Sequence, residues 1–149
     1  MTQITGFISP KAYKIETSPD GSTWTDRSGA TVAIEMNERT RISGEEYTFD
    51  GDTAAITSGP LEPLEVTHKF LYTEGASDLF DDVEAVQTAN TAWYIRWTPK
   101  GGTTGDFKYT SGAGIVTGLM YPLGAKSDGK PVVCQYTLKF AALTKAATP

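Results

Sequence analysis

Two hydrophobic periods meet within one stretch of this chain. In EPLEVTHKFLYTEGASDLFDDVEAV, residues 62–86, Leu64, Val66, His68, Phe70 and Tyr72 recur at every second position. That spacing predicts a strand over Leu64–Tyr72 with one face turned to a core. Beyond TEG, Leu79, Phe80, Val83 and Val86 recur at helical spacing, which predicts a helix over about residues 77–88. Ser77 suits its N-cap. Asp78, Asp81 and Asp82 fall in the first turns, where carboxylates complement the helix dipole, and the helix is expected to end near Gln87–Asn90. Burying its four apolar side chains is worth about 6–12 kcal/mol gross, so the helix must dock; alone, at this length, it would be marginal.

The other patterned segments read as strands. Residues 12–26 form a predicted hairpin around SPDGS, with Trp24 in its second arm. Val32, Ile34 and Met36 alternate with Ala33 and Glu35. A long polar loop over about 37–60 follows, NERTRISGEEYTFDGDTA at its heart, with short strands expected around Tyr47–Phe49 and at Ala55–Thr57. Trp93, Ile95 and Trp97 mark another strand, and PKGGTTGD a loop. Strands are predicted over Phe107–Thr110, Gly114–Tyr121 and Pro131–Leu143. In the last of these, Val132, Cys134, Tyr136, Leu138 and Phe140 share one face, while Val133, Gln135, Thr137 and Lys139 share the other. KAATP reads as a tail. The expectation is a mainly β protein: a β-sandwich or barrel of about seven to nine strands with one flanking α-helix. It is read as a single domain over residues 1–149 with short flexible termini.

Composition fits a globular domain: 149 residues, 39% hydrophobic and 21% charged. No apolar run reaches membrane-spanning length, and MTQITGF lacks the charged start and apolar stretch of a signal peptide. Cys134 is the single cysteine, so no intramolecular disulfide can form. Folding in a cytoplasm is expected on both grounds. The net charge of −5 is unevenly spread. Residues 1–43 balance five acidic with five basic side chains, and residues 44–90 set eleven acids against Lys69. Residues 91–149 set seven basic residues against Asp106 and Asp128. Solvated loops account for such a pattern; so do two surfaces of opposite sign that meet head to tail.

Catalytic and ligand motifs find little support. His68, the single histidine, shares its face with Val66 and Phe70, which points to a partly buried structural residue. It is far from Cys134 in sequence, with no local signature of a nucleophile pair. Asp50 and Asp52 in FDGD are the best hard-cation ligands, but the rest of a calcium loop is missing. Glu74, Asp78, Asp81, Asp82 and Glu84 are explained by their place around a helix start. GGTTG is not followed by Lys-Ser/Thr, and no βαβ unit surrounds it. Lys100, Lys108, Lys126, Lys130 and Lys139 are scattered and form no basic stripe. No zinc spacing exists. An enzyme and a cofactor are therefore not expected.

Three segments together carry a resemblance: SPDGSTWTDRSG, then RISGEEYTFDGDTAAITSGPLEPLEVTHKFLYTEGASDLFDDV, then WYIRWTPKGGTTGDFKYTSG. In this order the chain resembles the major tail tube proteins of long, non-contractile-tailed (siphovirus-type) bacteriophages over roughly residues 12–143. The resemblance implies a sandwich with one flanking helix, assembled with copies of itself into hexameric rings that stack into a tube. Inner-sheet strands of neighbouring subunits would join into a continuous barrel, and genome DNA would pass through it during ejection without specific binding. Tape measure, terminator and tip proteins would be further partners, no membrane would be involved, and the location would be the virion tail after synthesis in the host cytoplasm.

Such a tube gives particular residues a role. An acidic lining would let phosphates slide, and Glu65, on the polar face of its strand, is a channel-lining candidate. Arg39, Arg41, Glu45, Glu46, Tyr47, Phe49, Asp50 and Asp52 are inter-subunit candidates in the long loop. Two other readings remain open: a carbohydrate- or ligand-binding sandwich, in which Trp24 stacks on a sugar ring, and a capsid decoration protein.

Overall fold

A computed structural model describes residues 6–75, 78–124 and 129–149. Among these, eleven strands and one α-helix follow in order: β1 (Lys14–Ser18), β2 (Thr25–Asp26), β3 (Thr31–Met36), β4 (Arg41–Glu46), β5 (Ala55–Leu61), β6 (Leu64–Leu71), α1 (Leu79–Ala89), β7 (Tyr94–Thr98), β8 (Phe107–Ser111), β9 (Gly114–Leu123), β10 (Val133–Phe140) and β11 (Leu143–Ala147). They form a five-stranded sheet, β11-β8-β7-β1-β2, and a four-stranded sheet, β3-β6-β10-β9. A separate two-stranded ribbon is made of β4 and β5. The architecture is a sandwich-like pair of antiparallel sheets, and no sheet closes into a barrel.

Alternation decides the core. Along β6, Leu64, Val66, His68 and Phe70 are buried while Glu65 is exposed. Cys134, Tyr136, Leu138 and Phe140 of β10 lie beside them in register. Ile15 and Ile95 face them from the five-stranded sheet, and α1 contributes Leu79, Phe80, Val83 and Val86. Phe80 meets Tyr72 and Tyr121 edge-on at 5.5 and 5.4 Å. Gly114 lets β9 approach β10 closely: a Cβ there would stand 2.9 Å from Leu138 Cδ1.

The helix begins at Asp78, its N-cap. Ser77, expected in that role, lies outside the described residues. Asp78 makes no side-chain cap bond; its carboxylate instead accepts from the Thr73 hydroxyl at 3.1 Å. Asn90 ends the helix in the left-handed region, φ 52° and ψ 45°, a conformation that asparagine tolerates.

Four sequence expectations are corrected. The loop of residues 37–60 is largely a paired ribbon, with β4 and β5 in ladder contact from Arg41↔Leu61 to Glu46↔Ala55. Tyr47–Phe49 is not a strand but lies in the connection at the ribbon's tip. The strand expected at Ala55–Thr57 is the start of β5, whereas β4, exposed on both faces, carries no hydrophobic period. The expected single strand Pro131–Leu143 is two, β10 and β11, separated at Ala141–Ala142 and placed in different sheets. An Ala-Ala pair carries no turn signature. Residues of the expected tail KAATP belong to β11, which pairs with β8 from Leu143↔Ser111 to Ala147↔Phe107.

A buried polar chain crosses the core. Thr31 Oγ1 donates to the Arg27 carbonyl at 2.8 Å, so it accepts from His68 Nε2–H, also at 2.8 Å. His68 Nδ1 is then an acceptor, 3.1 Å from the Tyr136 hydroxyl, whose oxygen accepts from Trp93 Nε1–H at 3.2 Å. The directions agree from Trp93 to Arg27 and fix the imidazole tautomer. Burial, with the Arg27 charge adding, holds His68 down to about 4 from an ordinary 6.5.

Tyr136→Phe leaves a buried donor and a buried acceptor unmatched. It is expected to lower unfolding free energy by about 1–3 kcal/mol, measured by chemical denaturation. The depressed His68 value has a definite sign, because the unfolded chain takes up a proton that the folded one refuses. Stability is therefore full above about pH 6.5 and is lost as pH falls toward about 4, by on the order of 3 kcal/mol in total. His68→Gln should flatten this part of a denaturation-versus-pH curve; an unchanged slope would remove His68 as its origin.

Candidate assembly surfaces

Three surfaces bear on association between copies: the ribbon, the edges of the four-stranded sheet, and that sheet's outer face. The ribbon is rooted by Asn37. Its backbone N–H donates to the Glu65 carbonyl at 3.1 Å, and its side-chain carbonyl accepts from Glu65 N–H at 2.7 Å. Arg41 donates to the Gly59 carbonyl at 2.9 Å, and Thr40 to the Glu62 carboxylate. Beyond this root β4 and β5 pair only with each other. From Asn37 to Pro63 every residue is exposed except Ala54 and Gly59, which are half-buried. A two-stranded ribbon without a third partner is marginal in water.

The inter-subunit candidates fall into two groups on this ribbon. Arg39 and Arg41 lie at its root, and Glu45 and Glu46 near the tip end of β4. Tyr47, Phe49, Asp50 and Asp52 lie in the tip. Phe49 is fully exposed and Tyr47 is 66% exposed. No group of three or more His, Cys, Asp or Glu side chains among the described residues is placed to hold a metal ion.

The four-stranded sheet leaves β3 and β9 as edges. Val32 and Met36 on β3, and Ile115, Met120, Tyr121 and Leu123 on β9, are exposed. Each neighbouring pair in this sheet is antiparallel, so β3 and β9 run in opposite directions. Its outer face carries Glu65, Thr67 and Lys69 of β6, with Lys139, Thr137 and Gln135 opposite them on β10. Glu35 of β3 binds Lys69 at 3.3 Å. Glu65, the lining candidate, is thus on this face and exposed, with Lys139 as its register partner. Two carboxylates meet two ammonium groups, so the face is balanced. The acidic surplus of residues 44–90 lies instead on the ribbon and around α1.

Two further clusters complete the surface chemistry. Glu16 accepts from Arg96 Nε at 2.7 Å and Nη2 at 3.0 Å, with Lys14 at 3.1 Å. The Arg96 guanidinium holds the Glu16 carboxyl below the usual carboxylate range. Arg96 also lies 4.2 Å over the Trp24 ring, covering a face that sugar stacking would use. At the SPDGS turn, Asp20 Oδ1 accepts from Ser22 N–H, Thr23 N–H and the Ser18 hydroxyl at 2.7–2.8 Å. Gly21 takes φ +74° there, against the Tyr94 ring. The motif is a closed turn.

No family profile and no curated protein matches the chain. Solved structures do. The sheath/tube terminator of the PVC extracellular contractile injection system has a TM-score of 0.77 at 14% identity, covering 97% of this chain and 100% of that one. The tube-terminating cap of the anti-feeding prophage gives 0.75 at 12% identity, covering 99% and 95%. The SPP1 tail tube gives 0.64 at 14% identity, covering 94% and 79%. The chain shares its fold with these tube and tube-terminating proteins. Within that fold the ribbon is the least supported element, and its residues carry none of the buried contacts of the core. The strand expected at Ala55–Thr57 is the start of β5; sequence reasoning missed its continuation to Leu61 and its partner β4, whose side chains are exposed on both faces.

In the free chain, the amides of residues 39–60 are expected to exchange far faster than those of β6 and β10, and to gain protection when copies associate. Hydrogen exchange on both states measures this. Equal protection before and after association would show the ribbon to be self-sufficient.

Proposed function

We propose that this chain is a non-enzymatic structural subunit of a phage-type tail tube, built from copies of itself. The observation that carries the reading is the four-stranded sheet with two unpaired, oppositely directed edges. Set beside β9 of a like-oriented copy, β3 would continue the antiparallel alternation. Repeated around an axis, this head-to-tail contact closes a ring instead of ending as a dimer. Unpaired edges are otherwise an aggregation hazard; in a ring each is satisfied by its neighbour. Six copies per ring is the number that the sequence resemblance implies.

The outer face of that sheet would then line the channel. Thr67, Thr137 and Gln135, with Glu35, Glu65, Lys69 and Lys139 in balance, give phosphates no row of cations to grip. Genome DNA would slide through during ejection without specific binding. The ribbon, with Arg39, Arg41, Glu45, Glu46, Tyr47, Phe49, Asp50 and Asp52, would connect subunits. Tape measure, terminator and tip proteins would bound the tube in the virion tail, after synthesis in the host cytoplasm.

Negative-stain electron microscopy of the purified chain at high concentration tests the reading. Rings or filaments of uniform width, formed with no ligand added, are the expected result. A lasting monomer would count against it, as would order that appears only on a capsid lattice.

A further inference from the structure

The edges of the two sheets are not alike. β9 is ten residues long and carries no charged side chain, and β3 carries one, Glu35, which Lys69 holds. Together they expose Val32, Met36, Ile115, Met120 and Leu123. The five-stranded sheet ends differently. β2 is only Thr25 and Asp26, too short to template a strand, and the Asp26 carboxylate accepts from the Ser28 hydroxyl at 2.6 Å. β11 pairs with β8 along all five of its residues, and no strand lies on its other side. All of it but Leu143 is exposed. Neither its length nor the small side chains of Thr144, Ala146 and Ala147 would keep a further strand away.

What β11 does carry is Lys145, its central residue. Tyr109 is the register partner of Lys145 and pairs in turn with Trp97, which packs against the core. Lys145 therefore stands on the inward side of its sheet, at a corner that the rest of the sandwich leaves open: Phe107 there is 54% exposed. The Lys145 ammonium lies 4.0 Å over the Phe107 ring and 5.9 Å from the centre of the Tyr109 ring. It makes no ion pair among the described residues. An inward-pointing charge on an edge strand is a known device against unwanted pairing.

Strand direction shows which pairing it would oppose. Neighbours alternate in this sheet, so with five strands β11 and β2 run the same way. The head-to-tail continuation open to the four-stranded sheet is closed to this one. Antiparallel self-pairing of β11 requires β11 of a second copy across a two-fold axis. Full overlap then sets Leu143 opposite Ala147, Thr144 opposite Ala146, and Lys145 opposite Lys145. Side chains directly opposite stand about 4.5–5.5 Å apart, where like charges are destabilising. Such an isologous contact ends as a dimer and would withdraw copies from rings.

We propose that Lys145 guards the β11 edge, so that copies of this chain join through β3 and β9 and not through β11. The proposal rests on the tube reading and names the residue that selects between the two kinds of edge.

Two variants test it. Lys145→Val removes the charge from a strand that valine suits. At a concentration where the wild type is monomeric, it should raise the dimer fraction about tenfold by sedimentation velocity, and the β11 amides should gain protection from hydrogen exchange. Lys145→Glu keeps like charges opposed and should stay monomeric alone. Mixed with wild type, it sets a carboxylate opposite an ammonium, and the mixture should dimerise. Protected β6 and β10 amides report that each variant is folded. A folded valine variant that sediments and exchanges like wild type, or a mixture no more dimeric than its components, would overturn the guard while leaving the tube reading intact. Wild-type protein that never forms rings would overturn the tube reading, whereas dimers of the valine variant and of the mixture would still uphold the guard.

Discussion

The hydroxyl of Tyr136 occupies the point where the two sheets, the helix connection and the edge strand are tied together. It receives a hydrogen bond from Trp93 and gives one to His68, which in turn reaches Thr31 and the Arg27 carbonyl. The Arg27 side chain leads on to Thr17 in β1 and to Asp82 on the helix. Buried polar groups are tolerated only when partnered, and here each member has a partner with a consistent donor and acceptor sense. An apolar core alone would permit the sheets to slide against each other. The directed chain permits one arrangement, and it fixes β3, an outermost strand, in place.

That fixed edge has consequences beyond the core. The same fold that satisfies its interior leaves both edges of each sheet unpaired, among them the oppositely directed β3 and β9, and a ribbon with no third strand. A monomer carries these features at a cost in exposed apolar surface and unmatched backbone. In the proposed assembly both would be relieved, because β3 and β9 run in opposite senses and the ribbon would find its missing partner on another subunit. The balanced charge of the outer sheet face separates the two jobs. The ribbon carries the charged and aromatic groups, while the face proposed to line the channel is neutral and hydroxyl-rich.

Much of this was legible from residue pattern. The alternation of Leu64, Val66, His68 and Phe70, and of Cys134, Tyr136, Leu138 and Phe140, marked two core strands because burial on one face leaves a period of two. The spacing of Leu79, Phe80, Val83 and Val86 marked the helix for the corresponding reason. What escaped was held by backbone alone. Arg41–Glu46 and Leu143–Ala147 are strands whose side chains are mostly exposed, so neither face was selected for apolarity. Trp24, read as a possible sugar platform, is instead covered by Arg96 across 72 residues of sequence, a separation no local window can bridge.

The sequence by itself determined which residues are core, where the helix lies, and that the acidic and basic halves differ, since these follow from local period and composition. Tertiary structure alone decided which strands are edges and that the ribbon stands unsupported. Those facts depend on strand order and register. Both are set by long-range pairing energies that leave no trace in any short stretch of chain.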